Sequence, residues 1–357
     1  MVAPTLPRYL PVASSLVLWL CAACGGEDGS DEPVFVVDVN DTRQQISGFG
    51  VSSAWTAQDI TEQLAEQLFS VDNGVGLSLL RVRIAPEGTT WETQTALKAQ
   101  AHGARVWAAP WSPPGEWKSN LDPENGGRLL DEHYGDWADR LASFVVDIAA
   151  EGVQLSALSV QNEPDYEAEW ETCRFTPAEL TTFVGAHLVP ALAQRGVSPT
   201  LIAPEASGWS SIAKYTEPLL ADPLTRDALG VIGVHGYNGE PYKYGTPAAH
   251  GKELWLTEVS EKNSDMNDPG MGSALWTARL MYDDLTIASV NAWHYWWLNN
   301  GANNSGVVDR ADRPPASTRT PSRGNRRTAV KSAPRRANHL LPPKRNRSSS
   351  RSLTTCG

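Results

Sequence analysis

Two short stretches of the sequence place a glutamate at the end of an apolar run. VQNEPDY at 160–166 follows one such run, and LWLTEVS at 254–260 contains another. Apolar runs of this length predict buried strands, so Asn162, Glu163 and Glu258 should emerge at the carboxyl ends of two strands. Two carboxylates that face each other across a gap can cleave a glycosidic bond, one as the acid and the other as the nucleophile or base.

The strands that would carry these acids belong to a regular series along the chain. Apolar runs recur, and each is followed by polar, glycine or proline residues and then by a stretch with helical spacing. The runs predict strands at 46–51, 77–84, 104–110, 155–161, 200–204, 231–237, 253–259 and 290–297. The clearest helical stretches are 61–70, 92–102, 135–151, 176–195, 210–220 and 273–286.

This alternation of strand and helix over residues 46–309 predicts an α/β fold, specifically a (β/α)8 TIM barrel. Eight units in that length match the usual size of such a barrel, about 250 residues. An open, doubly wound sheet is the alternative, but no GxGxxG follows the first strand. In a barrel the carboxyl ends of the strands surround one opening, so Glu163 after strand four and Glu258 in strand seven should face each other across it.

Charge is distributed unevenly along the chain. Residues 310–357 hold 13 of the 30 Lys and Arg residues but one of the 41 acids, which leaves 17 basic and 40 acidic residues in 1–309, a balance of −23. A body this acidic repels phosphates, which argues against nucleic acid or an anionic membrane surface as the main partner. The 14 Trp residues indicate stacking surfaces for sugar rings. The expected partner is therefore a polysaccharide or oligosaccharide. We expect the protein itself to be a monomer.

The first 24 residues predict an export signal. They contain one charged side chain, Arg8, and an apolar stretch that is too short to span a bilayer. Ala22 and Ala23 precede Cys24, and an acidic spacer follows at 25–31, an arrangement that resembles a bacterial lipoprotein signal in which Cys24 is lipidated. Simple secretion is the alternative. We therefore expect the protein to be extracellular, or attached to the bacterial envelope through a lipid on Cys24.

Metal-binding motifs are missing from the body of the sequence. Outside the export signal there is no CxxC pair, and the chain has no HExxH motif and no histidine cluster at ligand spacing. Cys173 is the one cysteine between the signal and the tail. The sequence therefore predicts neither a metal site nor another cofactor.

Two further segments flank the predicted barrel. Residues 32–45, EPVFVVDVNDTRQQ, alternate apolar and polar side chains and predict an extra strand pair. Residues 310–357 contain no Phe, Tyr or Trp but six Pro and eleven Arg, so they cannot build a core. We expect this basic tail to be disordered, or to be translated in a shifted reading frame, in preference to a nucleic-acid-binding arm.

Seven ordered motifs give the chain a resemblance to glycoside hydrolase family 30 between about Gln44 and Asn300. They are QQISGFGVSSAW (44–55), GLSLLRVRIAP (76–86), RVWAAPWSPPGEWKSN (105–120), ALSVQNEPDY (157–166), VIGVHGYNG (231–239), ELWLTEVS (253–260) and VNAWHYWWLNN (290–300). The resemblance implies a catalytic barrel and hydrolysis of β-glycosides with retention of configuration. It also implies a side β-sandwich, to which residues 32–45 would contribute and which the aberrant C-terminal segment would leave incomplete.

At the matching positions, the resemblance implies that Glu163 is the acid/base and Glu258 the nucleophile. Glu258 must stay ionised to attack the anomeric carbon, so a cation is expected beside it, and Arg81 occupies the family's position for that cation. Glu163 must hold a proton, and the charge of Glu258 and enclosing tryptophans should raise its pKa. Asn162 would hydrogen-bond the 2-hydroxyl of the sugar.

Five further residues are expected to bind substrate: Trp55, Trp111, Trp296, His235 and Tyr237. Trp296 would form the floor of the pocket, and a packing role is the alternative for each single tryptophan. His235 and Tyr237 resemble the family's pair that orients the nucleophile and touches sugar hydroxyls. Three other acids near predicted strand ends are expected to be structural: Glu87, Asp165 and Glu205.

The choice of sugar also follows from the resemblance. The motifs look most like the xylanase-like branch, which implies β-1,4-xylan. Members specific for glucuronoxylan carry an arginine just beyond the tryptophans of strand eight, where this chain has Leu298, Asn299 and Asn300, so strict glucuronate dependence is not expected. A β-1,6-glucan, a β-1,6-galactan or a β-glucoside of the glucosylceramidase type is an alternative substrate. An alternative of another class is a truncated, inactive glycan-binding relic.

Overall fold

Eight parallel strands close into a barrel in the computed structural model, which describes residues 37–260, 271–299 and 306–308. The strands are β1 (Gly48–Ser52), β2 (Leu79–Ile84), β3 (Arg105–Pro110), β4 (Leu155–Ser159), β5 (Thr200–Ala206), β6 (Leu229–His235), β7 (Glu253–Glu258) and β8 (Ala292–Asn299). Each pairs with the next in sequence, and β1 also pairs with β8. A short strand β9, Gly306–Val308, lies beside β8. The predicted (β/α)8 barrel is therefore confirmed.

Helices follow the strands. They are α1 (Glu62–Phe69), α2 (Thr93–Ala101), α3 (Tyr134–Ala150), α4 (Pro177–Thr182), α5 (Val189–Gln194), α6 (Ile212–Ala221), α7 (Pro223–Ala228), α8 (Thr246–Ala249) and α9 (Met271–Asp283). All but α7 and α8 overlap the predicted helical stretches. Two 3₁₀ turns, Gly115–Trp117 and Asp131–His133, precede α3. A π-helical stretch, Phe183–Leu188, joins α4 to α5, and a second one, Asp284–Ala288, extends α9.

Side chains alternate along the strands between the barrel interior and the helix layer. In β2, Leu79 packs inside the barrel and Leu80 against the helices. The interior core contains Ala54, Leu79, Trp107, Ala109, Trp111, Ala157, Ile202, Val231, Trp255 and Ala292. Gly50 fits here because a Cβ atom would lie 2.3 Å from the His294 ring. Most of these residues lie on the strands and fill the barrel interior, whereas Ala54 and Trp111 follow the carboxyl ends of β1 and β3. Polar side chains that point inward near the carboxyl ends of the strands form the mouth.

The segment before β1 differs from the prediction. Residues 37–45 contain a turn, in which the Asp41 N–H donates to the Asp38 carbonyl, and no strand. Val37 and Val39 are 87% and 76% exposed. Within the described residues no strand pairs with this segment, and an alternating pattern forms a strand only where a neighbour accepts its backbone hydrogen bonds.

Several predicted segments lie outside the described residues. These are the export signal at 1–24, the spacer at 25–31, residues 32–36 of the expected strand pair, and the tail at 310–357. None of the helices in the described part of the chain combines the length and the apolar character needed to span a bilayer.

Candidate active site

Glu163 and Glu258 lie together at the carboxyl-terminal mouth of the barrel. Glu163 follows β4, and Glu258 is the last residue of β7. An oxygen of one carboxylate lies within 4.8 Å of an oxygen of the other. The two residues are 7% and 5% exposed. An approach of two oxygens within this distance is compatible with the carboxyl separation of about 5–5.5 Å in retaining glycosidases, which is shorter than the separation of about 6.5–9.5 Å in inverting ones.

Arg81, on β2, provides the positive charge beside Glu258. Its guanidinium forms an ion pair with Glu258 and donates to Asn162 Oδ1 at 2.6 Å and to Glu205 Oε1 at 2.8 Å. The side chain is wholly buried, and its Cζ lies 4.4 Å from the ring centre of Trp111. The sequence predicts a cation at this place, and the contact both orients the Glu258 carboxylate and balances its charge.

His235, the last residue of β6, connects three carboxylates. Its Nδ1 lies 2.9 Å from Glu163 Oε1, and its Nε2 lies 3.3 Å from Glu205 Oε1 and 3.7 Å from Glu258 Oε2. Burial lowers the pKa of the imidazole, but the charge of Glu258 and the hydrogen bonds to Glu163 and Glu205 outweigh burial and raise the pKa to about 10. His235 is therefore an imidazolium that donates from both ring nitrogens.

Glu163 and Glu205 are held in different protonation states. Burial raises the pKa of Glu163 and the charge of Glu258 adds to this effect, while the hydrogen bond and charge of His235 oppose it. Burial acts on Glu205 in the same direction, but the charge of Arg81 and the hydrogen bond from His235 outweigh it, so the pKa of Glu205 is lowered. Glu163 is thus suited to carry a proton and Glu205 to carry a negative charge.

Tyr237 adds a hydroxyl group to the nucleophile side of the pocket. The phenol forms hydrogen bonds with Glu258 and Ser260, and burial together with the charge of Glu258 raises its pKa well above the usual value. Its ring meets the ring of His235 edge-on, with the centres 5.9 Å apart. The phenol therefore stays protonated and can donate to the Glu258 carboxylate.

Three tryptophans form an aromatic wall beside the acids. The ring centres of Trp55 and Trp111 are 4.9 Å apart, and that of Trp296 lies 5.8 Å from Trp111 and 6.1 Å from Trp55. Trp111 is buried, whereas Trp55 and Trp296 are half-buried and pack against the interior core of the barrel. Trp293, on the same strand as Trp296, packs in the helix layer, and its indole donates to Asp284 at 2.9 Å. The wall can bind the apolar face of a sugar ring.

Left-handed backbone conformations occur at three residues of the site. Trp55, Glu163 and Glu205 have φ angles of 59°, 43° and 54°. Such a conformation costs a non-glycine residue about 1–3 kcal/mol and persists where surrounding contacts hold it. Here the Trp55 N–H donates to the Glu92 carboxylate at 3.2 Å, and the Glu163 N–H donates to the Glu205 carbonyl at 3.1 Å. These bonds fix the direction in which the side chains leave the strand ends.

Glu163, His235 and Glu258 are also close enough to ligate a metal ion, since one atom from each lies within 4.8 Å of the others. A histidine must be neutral to bind a metal, whereas the surrounding acids raise the pKa of His235 to about 10. The guanidinium of Arg81 already contacts Glu258. The group is therefore better suited to proton transfer than to metal binding, and independence from cofactors stays a prediction.

The structure brings all nine predicted site residues to one opening: Arg81, Asn162, Glu163, His235, Tyr237, Glu258, Trp55, Trp111 and Trp296. Their individual roles stay predictions. Of the three acids expected to be structural, Glu87 is exposed and Asp165 accepts hydrogen bonds from Ser207. Glu205 instead lies within the charged cluster, although the sequence assigns it no part in the site. Its place after the apolar run TLIAP is the signal that could have identified it.

Comparison with known sequences gives matches across the barrel. The Glycosyl hydrolase family 30 TIM-barrel domain matches residues 72–300. Glucuronoxylanase XynC of Bacillus subtilis (strain 168) is 32% identical over 276 residues, which are 73% of this chain and 63% of that protein. Putative glucosylceramidase 4 of Caenorhabditis elegans is 24% identical over 327 residues, covering 74% of this chain and 60% of that protein. The chain thus spans less than two thirds of the length of these relatives.

Solved structures agree with this assignment. The glycoside hydrolase family 30 subfamily 8 xylanase Xyn30A of Clostridium acetobutylicum matches with a TM-score of 0.66 and 32% identity, covering 75% of this chain and 68% of that one. A GH30 endoxylanase of Clostridium papyrosolvens C71 matches with a TM-score of 0.62 and 30% identity, with the same coverage of 75% and 68%. The fold, the sequence match over residues 72–300 and these relatives show that the chain belongs to glycoside hydrolase family 30.

Proposed function

We propose that the protein is a retaining β-glycoside hydrolase that acts by double displacement, and that β-1,4-xylan is its preferred substrate. The observation that carries the proposal is the pair of carboxylates in one pocket, with oxygens of Glu163 and Glu258 within 4.8 Å of each other. One of them contacts the cation Arg81, and burial raises the pKa of the other. Relatives named as xylanases, 32% and 30% identical, support the choice of substrate.

In the first step a Glu258 oxygen forms a bond to the anomeric carbon as the glycosidic bond breaks. The electron pair of the broken bond goes to the leaving oxygen, which takes the proton from Glu163. Glu258 becomes a neutral ester and Glu163 becomes a carboxylate, so the negative charge moves from one acid to the other. His235, at 2.9 Å, donates to the newly formed carboxylate and stabilises it.

In the second step Glu163 accepts a proton from water, and the water oxygen attacks the anomeric carbon and releases Glu258. Asn162 takes part through its amide. Its Oδ1 accepts from Arg81 at 2.6 Å, which fixes the orientation of the amide and leaves Nδ2 to donate to a sugar hydroxyl. The 2-hydroxyl is the group next to the reacting carbon, and a bond to it strengthens as positive charge develops there.

A substrate panel tests the proposal. The wild type, Glu163→Gln and Glu258→Gln are assayed on β-1,4-xylan, glucuronoxylan, β-1,6-glucan, β-1,6-galactan and a β-glucoside, and the anomer released first is identified by NMR. We expect the highest rate on xylan, release of the β-anomer, and a loss of about 10²–10⁴-fold in Glu163→Gln. Equal rates for wild type and Glu258→Gln would exclude an enzyme that uses this pair, and the α-anomer would exclude retention. A higher rate on another glycan would replace xylan as the substrate.

We infer that glucuronate side chains are not required for cleavage. The residues after the tryptophans of β8 are Leu298, Asn299 and Asn300, so no arginine is available there to pair with a uronate. Xylan from which the uronate groups have been removed should therefore be cleaved about as fast as glucuronoxylan. A strong preference for the substituted polymer would contradict this inference.

We further propose that the protein is exported. The support is the sequence of residues 1–24, in which Cys24 follows two small residues. Metabolic labelling with palmitate in a bacterial host should mark the wild type and leave Cys24→Ala unlabelled. Unlabelled wild type in the medium would indicate simple secretion, and wild type retained in the cytoplasm would refute export.

A further inference from the structure

Glu205 contacts the side chains that hold both catalytic acids. It lies on β5, and one of its oxygens accepts hydrogen bonds from Arg81 at 2.8 Å and from His235 at 3.3 Å. The other oxygen accepts a hydrogen bond from the Ser159 hydroxyl. The carboxylate is wholly buried, so it cannot touch substrate directly.

The surrounding backbone is shaped to admit this side chain. Gly233 lies beside it on β6, and a Cβ at that position would come within 2.9 Å of Glu205 Cγ. Glu205 itself has a φ of 54°, and its carbonyl accepts the Glu163 N–H at 3.1 Å. A buried acid in a left-handed conformation is costly unless its contacts hold it in place. The arrangement therefore joins the backbone of Glu163 to the charged cluster through Glu205.

We propose that Glu205 is a positioning residue for both catalytic acids, which orients Glu258 through Arg81 and Glu163 through His235 and supplies a fixed negative charge during the reaction. This inference rests on the retaining mechanism proposed above. Neither contact requires Glu205 to exchange a proton with substrate.

The charge balance of the cluster gives the physical reason. Before the reaction, Arg81 and His235 are positive, Glu258 and Glu205 are negative, and Glu163 is neutral. In the glycosyl-enzyme Glu258 is neutral and Glu163 is negative, so the sum is again zero. Without Glu205 the buried cluster would carry one excess positive charge at both stages, and His235 would lose its proton more readily.

Three variants test the proposal. Glu205→Gln removes the charge and keeps the shape, Glu205→Asp keeps the charge, and Asp284→Asn is the matched control because it removes a buried carboxylate in the helix layer. The measurements are kcat and KM on the substrate that the wild type cleaves, and the titration of His235 by ¹⁵N-histidine NMR. The His235 signal is assigned by its absence from His235→Gln.

We expect Glu205→Gln to lower kcat on the order of 10²-fold with little change in KM, because misplaced catalytic groups lose rate rather than affinity. The titration of His235 should move down by about one to three units, the usual effect of a neighbouring charge. Glu205→Asp should recover most of the His235 titration and part of kcat, and Asp284→Asn should change neither. A folded Glu205→Gln with wild-type kcat and an unchanged His235 titration would overturn the proposal.

Two further outcomes can be separated. If Glu205→Gln does not fold, Ser159→Ala replaces it, since this change frees one Glu205 oxygen and should lower kcat about 2–10-fold; wild-type kcat in Ser159→Ala would then overturn the proposal. If the wild type cleaves none of the glycans tested, the proposed function fails. The His235 titration in Glu205→Gln still decides whether Glu205 holds the charge of the cluster.

Discussion

The raised pKa of His235 makes the stability of the protein depend on pH in a defined direction. The ordinary value is 6.5, and the folded protein raises the pKa to about 10. A group whose pKa is raised on folding stabilises the native state fully below its ordinary pKa, and this stabilisation is lost as the pH rises through the folded value. The protonated imidazole should therefore contribute most below about pH 6.5 and little above about pH 10.

The magnitude follows from the same two values. The difference of about 3.5 units, at about 1.4 kcal/mol per unit, corresponds to about 5 kcal/mol of stabilisation below the ordinary pKa. At pH 8, which is about two units below the folded pKa of about 10, about 3 kcal/mol of this stabilisation remains. The stabilisation is thus largely lost between about pH 6.5 and pH 10.

Urea unfolding followed by tryptophan fluorescence measures this effect. The free energies of unfolding of wild type and His235→Gln are compared at several pH values between about 6 and 10. We expect the difference between them to shrink by several kcal/mol across this range. His294→Gln is the matched control, because burial lowers the pKa of His294 to about 4 and the ring stays neutral throughout. A difference for His235→Gln that stays constant with pH would refute an imidazolium in the folded protein.

Three other changes have expected outcomes. The kcat/KM of the wild type should fall as the pH rises through the raised pKa of Glu163, because a deprotonated Glu163 cannot donate, and Glu163→Gln should lack this alkaline limb in a pH–rate profile. Lys118→Met should lower the free energy of unfolding by about 3 kcal/mol, because the buried ammonium donates to three backbone carbonyls that would lose their partner; an unchanged urea midpoint would contradict this. Gly50→Ala should cost about 1–3 kcal/mol in the same measurement, because the new Cβ would lie 2.3 Å from the His294 ring, and a neutral result would show that the ring can move aside.

The strands could be predicted from the sequence because each carries a run of apolar residues. Where such a run continues into polar residues, the observed end of the strand differs from the predicted end. The prediction for strand four ends at 161, whereas β4 ends at Ser159, and the side-chain amide of Gln161 beyond it donates to the Trp111 carbonyl. The short helices α7 and α8 were not predicted. They contain six and four residues, too few to display a helical repeat of apolar side chains.

The expected strand pair before the barrel depended on a pattern alone. Val37 and Val39 alternate with polar residues as in a strand, but both are exposed and the segment forms a turn at Asp38. Alternation reports which side chains could share a face, and it does not report whether a neighbouring strand is present. The pattern therefore predicts a strand only in combination with a partner.

The position of Glu205 could have been predicted by combining two inferences that the sequence supports separately. Once the barrel is closed with its strands in sequence order, an acid at the end of strand five must lie between Glu163 of strand four and His235 of strand six. The sequence does not show how deep each of these side chains lies in the barrel. Glu163 lies four residues past the end of β4, where it can reach substrate, whereas Glu205 lies within β5 and is wholly buried. That difference in height separates an acid that can transfer a proton to substrate from one that can act only through its neighbours.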